Sequence, residues 1–197
     1  MIKRLAWVPI LVGAALVPSA RAADCEADAR AAMLDFAHPV PMRQDVTTEM
    51  AGQQIKSAAL STPDRRGMAL DANGNPVSLW DGGRFYTTTD GGTTWSLLQE
   101  QSAEVLAAQD ANFKKQADQA RDSACEYDVD LEGKAVHRFS LAYEMIPSGT
   151  PVESTYWVDA QNGFPWQVVH AFGGANPSTI TQRNSPEPDL QIPVPDR

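Results

Sequence analysis

The sequence predicts an α+β protein built on a strongly curved antiparallel sheet with helices against one face. Three observations predict it. Two blocks of short segments alternate apolar and polar residues and are punctuated by tight turns. Two segments of helical composition contain neither Gly nor Pro. Within each block the connections are too short to cross over and make parallel pairs.

The chain opens with a leader. Lys3 and Arg4 precede a nearly uninterrupted apolar run, Leu5 to Val17, then Pro18, Ser19 and the small-x-small triplet Ala20-Arg21-Ala22. That is the layout of a secretory signal peptide, residues 1–22, cleaved near Ala22. The run is about 13 residues, too short to span a bilayer. Residues 23–197 then form one domain, since a mature chain of about 175 residues favours a single core. The leader predicts a periplasmic location.

The first helix is expected over Asp24 to Phe36, where Ala27, Ala31 and Leu34 share a face. His38-Pro39 and Pro41 end it. Strand periodicity begins at Met42, with Val46, Thr48 and Met50 on one parity. Further strands are expected at Ile55–Ser61, Arg66–Asp71, Val77–Trp80, Arg84–Thr89 and Thr93–Leu98. Asn73-Gly74, Asp81-Gly82-Gly83 and Asp90-Gly91-Gly92 turn between them. Glu100 to Arg121 reads as a long helix with a thin apolar stripe, Leu106, Phe113 and Ala117, fit to rest one side on a sheet.

A second meander starts near Cys125. Phe139, Leu141, Tyr143 and Met145 alternate with polar neighbours. Ser154–Asp159 follows, then Gln161-Asn162-Gly163, then Phe164 to Phe172, then Thr179–Arg183. From about residue 184 the chain is proline-rich, with Pro186, Pro188, Pro193 and Pro195, and must be extended. Leu190, Ile192 and Val194 can dock from it at alternate positions.

Charge narrows the partners. The whole chain carries 16 basic and 25 acidic residues, a net −9. Loss of Lys3, Arg4 and Arg21 with the leader takes the mature chain to about −12, which opposes nucleic acid and anionic lipid surfaces. No apolar stretch after the leader is long enough for a transmembrane helix. Cys25 and Cys125 are the two cysteines, and in an oxidising compartment they are expected to pair as a disulfide.

Sites of chemistry are sparse. Thr88-Thr89-Asp90-Gly91-Gly92-Thr93-Thr94-Trp95 resembles an Asp-box hairpin of sialidases and other propeller proteins. A propeller repeats its unit once per blade, and one copy is present, so a stabilised hairpin is the expected role. His38, His137 and His170 show no metal-ligand spacing and are expected to be structural. No catalytic residues, cofactor or metal are predicted.

The aromatics fall on predicted strands, which suggests an apolar concavity lined from the sheet. Parity groups Phe139, Leu141 and Tyr143 on one face and Trp166 with Val168 on another stretch of it. With Trp157, these are the expected walls of a ligand cavity.

Tyr156-Trp157-Val158-Asp159 followed by Gly163-Phe164-Pro165-Trp166-Gln167 is similar to the strand–turn–strand of the LolA-like superfamily. The ending Leu190-Gln191-Ile192-Pro193-Val194-Pro195 is similar to its closing segment. The superfamily includes lipoprotein carriers, mycobacterial lipid-binding lipoproteins and the sensor-regulator RseB. The resemblance implies an incomplete barrel wrapped around helices, with an apolar cavity for acyl chains. A non-catalytic protein holding an apolar or amphipathic, lipid-like ligand is therefore expected. Another envelope protein is the alternative partner, docking on a module whose core is filled. A glycan-processing enzyme around the Asp-box is the third reading.

Overall fold

The computed structural model describes residues 20–35 and 38–195. Residues 1–19 of the expected leader, and Phe36, lie outside the described residues. The elements in chain order are α1 (Ala20–Leu34), β1 (Met42–Met50), β2 (Gln53–Ser61), β3 (Gly67–Leu70), β4 (Pro76–Asp81), β5 (Arg84–Thr87) and β6 (Ser96–Glu100). Then come α2 (Ala103–Asp118), β7 (Arg121–Leu131), β8 (Lys134–Glu144), β9 (Pro151–Asp159), β10 (Pro165–Phe172) and β11 (Ser178–Pro186).

All eleven strands form one sheet in the order β6-β5-β4-β3-β2-β1-β11-β10-β9-β8-β7. Each neighbouring pair is antiparallel. The sheet has edges at β6 and β7 and does not close into a barrel, so the expected curved α+β architecture is present. The turns explain the meander. At the β3–β4 turn Asp71 Oδ1 accepts the amides of Asn73 and Asn75, each at 2.8 Å. Gly74 there has φ +86°, a conformation that costs other residues free energy.

The two meanders, β1–β6 and β7–β11, join through a single pairing. β1 lies against β11 from Met42↔Pro186 to Met50↔Ser178 without a register shift. α2 links the two far edges of the sheet. It is shorter than the helix expected over Glu100–Arg121. Glu100 instead ends β6, where its carboxylate accepts from Arg84 Nε at 2.8 Å. Ser102 caps the helix by accepting the Val105 amide. At the other end Arg121 pairs with Ala142 and begins β7. Helix-forming composition yields there to ladder hydrogen bonds with β8, a long-range partner that local propensity does not register.

Each half of the sheet buries a different face. On the inner face Ala29 and Met33 of α1 pack on Phe139, Leu141, Tyr143, Val152, Tyr156 and Val168. On the outer face of the other half Ala58, Met68, Leu70, Leu79 and Tyr86 form a second core. Its cover is the proline-rich segment, whose Ile192 is 5% exposed. Arg66 Nη1 donates to the Ile192 carbonyl at 3.5 Å, and the Glu187 amide donates to Pro41 O at 2.7 Å. Of the three residues expected to dock, Leu190 and Ile192 do, whereas Val194 is 67% exposed. The alternation breaks there, and Pro195 is the next residue to be buried.

α1 is tied down covalently. Cys25 and Cys125 form a disulfide between α1 and β7. Nearby, Arg30 Nη2 donates to Ala120 O at 3.2 Å and Tyr127 Oη to Asp28 at 2.7 Å. The cross-link spans a sequence separation of 100. In the chain-entropy picture such a loop contributes on the order of 4–5 kcal/mol. The double change Cys25→Ser with Cys125→Ser is expected to lose most of that in urea unfolding, and thiol titration of the denatured, unreduced wild type should find no free thiol.

The Asp-box hairpin joins β5 to β6. Asp90 accepts from the Thr94 hydroxyl at 2.6 Å, the Thr94 amide at 2.9 Å and the Thr88 hydroxyl at 2.8 Å. Those bonds favour the ionised carboxyl, Thr94 most of all, and lower its pKa from 3.8 to about 2. Trp95 packs against the outer core, so the motif here secures a turn. A depressed carboxyl pKa contributes stability above its unfolded value and loses it as the pH falls through the folded one. Asp90→Asn should therefore lower the urea midpoint at neutral pH, and its gap from the wild type should narrow as the pH is taken from about 4 toward 2. A gap independent of pH would show that the ionised form is not what the turn uses.

Candidate ligand cavity

The space between the inner face and the two helices is not filled. A half-open cavity of about 1400 Å³ lies there. Its cause is visible in α2. Only Gln116 and Ala117, near its C-terminal end, are buried. Gln116 is anchored by accepting the Ile146 amide at 3.2 Å. Leu106 and Phe113 instead border open space. A narrow apolar stripe covers one end of the concavity and spans the rest.

The walls come from both meanders. Phe139, Tyr156 and Val168 line the cavity from β8, β9 and β10, and Trp80 and Phe85 from β4 and β5. Trp80 sits opposite Gly67 on β3. A Cβ on Gly67 would fall 1.8 Å from the Trp80 ring, so the indole lies across the backbone only because that position is glycine. α1 supplies Ala31, Ala32, Met33 and Leu34.

The six expected wall residues divide. Phe139 and Val168 line the cavity. Leu141 and Tyr143 share their face but lie further along β8, buried in the packed core under α1. Trp157 is on the other face, where Arg138 stacks over its ring at 5.7 Å, and its neighbour Tyr156 points inward instead. Trp166 is displaced by a bulge. Pro165 pairs with Val158 and Gln167 with Trp157, so one β9 step spans two residues of β10. Parity counted through Trp166 therefore fails. Pro165 takes the inward place, and Trp166 donates to Asp159 at 3.0 Å with Lys134 over its ring at 4.6 Å.

All three histidines reach the cavity wall. His38 is buried, bonded through Nδ1 to the Val40 carbonyl and through Nε2 to Ser61 Oγ at 3.0 Å. His137 Nδ1 accepts the Asp128 amide at 3.3 Å. His170 Nδ1 contacts Ser154 Oγ at 2.7 Å, and burial pushes its pKa below the ordinary histidine value. Burial likewise raises the Tyr156 phenol. Among the described residues no group of three or more His, Cys, Asp or Glu is placed to hold a metal. Ser154 and His170 form a hydroxyl–imidazole pair, but Ser154 is 1% exposed and no carboxylate among the described residues bonds His170. The pair satisfies two buried polar groups.

The sequence reading missed several wall residues. Trp80 and Phe85 were visible only as strand aromatics. Gln44, Gln182 and Asn184 carry no motif, and they meet through the β1–β11 pairing between distant parts of the chain.

No protein-family model matches the chain, and no curated protein matches its sequence. Solved structures do match its fold. The mycobacterial lipoprotein LppX of Mycobacterium tuberculosis superposes with a TM-score of 0.51 at 11% identity, over 88% of this chain and 99% of that one. A LolA superfamily protein from Nitrosomonas europaea aligns over 86% of this chain and 95% of its own, at 10% identity and a TM-score of 0.37. No helix among the described residues is long and apolar enough to cross a membrane. The eleven-stranded open sheet with helices on its inner face is thus the fold that this chain shares with LppX.

Proposed function

We propose that this is an exported, non-catalytic binding protein of the periplasm, cleaved near Ala22, that holds an apolar or amphipathic lipid-like ligand against the inner face of its sheet. The observation that carries this reading is the cavity. At about 1400 Å³ it exceeds the range of roughly 300–1,000 Å³ usual for small-molecule pockets, which suits a long flexible ligand. Trp80, Phe85, Phe113, Phe139, Tyr156 and Val168 give it extended apolar wall on both sides. Burial of acyl surface there is worth roughly 25 cal/mol per Å² before ordering costs. The disulfide is compatible with an oxidising compartment. The LolA-like resemblance, to a superfamily that includes lipoprotein carriers and lipid-binding lipoproteins, supports the same role.

Diphenylhexatriene, a hydrocarbon that fluoresces out of water, tests the proposal. The wild type should bind it saturably. Ala31 faces the cavity from an exposed position on α1, so Ala31→Trp fills space without overpacking the core. It should weaken binding at least about tenfold while leaving the free energy of unfolding in urea within about 0.5 kcal/mol of wild type. No saturable binding by the wild type would favour a protein-interaction module instead.

A further inference from the structure

The cavity wall is not uniformly apolar. Where the two meanders join, three side-chain amides face inward together. Gln44 of β1 pairs directly with Asn184 of β11, and Gln182 stands two residues along the same strand. Cross-strand partners and i, i+2 neighbours share a face. Val168 pairs with Gln182, and Tyr156 with Val168. The amides therefore adjoin the apolar floor.

Asn184 shows what is missing from this patch. It is 7% exposed. Its Nδ2 donates to the Pro165 carbonyl, which fixes the orientation of the amide, because a carbonyl cannot accept from Oδ1. Its Oδ1 is then buried without a partner. A buried acceptor left unpaired is costly, and native structures seldom leave one. Neither Gln44 nor Gln182 spends its side-chain amide on the described residues. Three amides in a cavity wall, one with an orphaned acceptor, await a ligand that donates hydrogen bonds.

The surrounding charge decides what kind. The cavity is bordered by Asp28, Asp35, Asp64 and Asp110 and by two arginines, Arg65 and Arg66. Arg66 is paired with Asp64 at 2.8 Å, and Arg65 lies 3.9 Å from Asp110. Four acids thus border the cavity against two cations, each of which lies beside one of the acids. His170 is held toward its neutral form by burial. A carboxylate or phosphate would meet a border on which acids outnumber cations two to one. A hydroxyl or amide would find acceptors and pay less for leaving water.

We propose that Gln44, Gln182 and Asn184 form a head-group seat that selects uncharged amphiphiles bearing hydroxyl or amide donors over anionic lipids and over lipids without a donor. This rests on the cavity being the lipid site, so the test separates the two ideas. Diphenylhexatriene has no hydrogen-bonding group and reports the cavity alone. Monooleoylglycerol, methyl oleate and oleate, each below its aggregation threshold at neutral pH, are then used to displace it.

The wild type should require about tenfold less monooleoylglycerol than methyl oleate, the factor expected for hydrogen bonds to buried amides, and oleate should do no better than methyl oleate. Asn184→Ala should bring monooleoylglycerol to the level of methyl oleate and leave methyl oleate unchanged. Gln44→Met keeps the side chain's length and removes its amide. It should reduce the preference several-fold, and it decides the question if Asn184→Ala fails to fold. Equal displacement by monooleoylglycerol and methyl oleate in the wild type overturns the seat while the cavity reading stands. Oleate as the tightest ligand overturns it too. Failure of the wild type to bind diphenylhexatriene overturns the cavity reading and the seat with it.

Discussion

The pairing of β1 with β11 is the constraint on which the architecture depends. Each meander by itself is a sheet with two open edges. Joined along nine register pairs from Met42↔Pro186 to Met50↔Ser178, they become one surface broad enough to curve around two helices. Remove that seam and neither half retains a concavity. β2 to β5 would keep an outer core but no inner helix, and β8 to β10 would keep α1 but lose the wall that Trp80 and Phe85 supply. The cavity is a property of the junction.

The division of labour between the faces follows. A single sheet has two faces to cover, and the chain covers a different one on each side of the seam. α1, fixed by the disulfide and the Arg30 and Tyr127 hydrogen bonds, covers the inner face of β8 to β10. The segment bearing Leu190 and Ile192 covers the outer face of β2 to β5. What remains uncovered is the inner face near the seam and under the first turns of α2. That is where the open volume and the unspent amides lie.

Local signals made the meanders legible. Asn73-Gly74 and the Asp-box announced their hairpins, and the alternation around Phe139 to Tyr143 set that strand's inward face. Parity failed where the ladder is irregular. A bulge at Trp166 and the opposite assignment of Tyr156 and Trp157 both depend on how β10 meets β9, which no single strand encodes. Helix composition overran into Glu100 and Arg121 because strand partners from elsewhere in the chain claim those residues. The polar patch was hidden for a related reason. Gln44 and Asn184 look like ordinary surface amides until a pairing between distant segments turns both inward.

The seam also has a temporal meaning. β1 is made early and β11 late, and the cover for the outer core follows β11 in the chain. A nascent chain that has reached only β10 has no partner for the inner edge of β1 and nothing over Met68, Leu70 and Leu79. Closing so long a loop is entropically expensive and is repaid only when the last strand arrives, which makes folding slow and late. The topology thereby postpones the native state until synthesis of the domain is nearly complete.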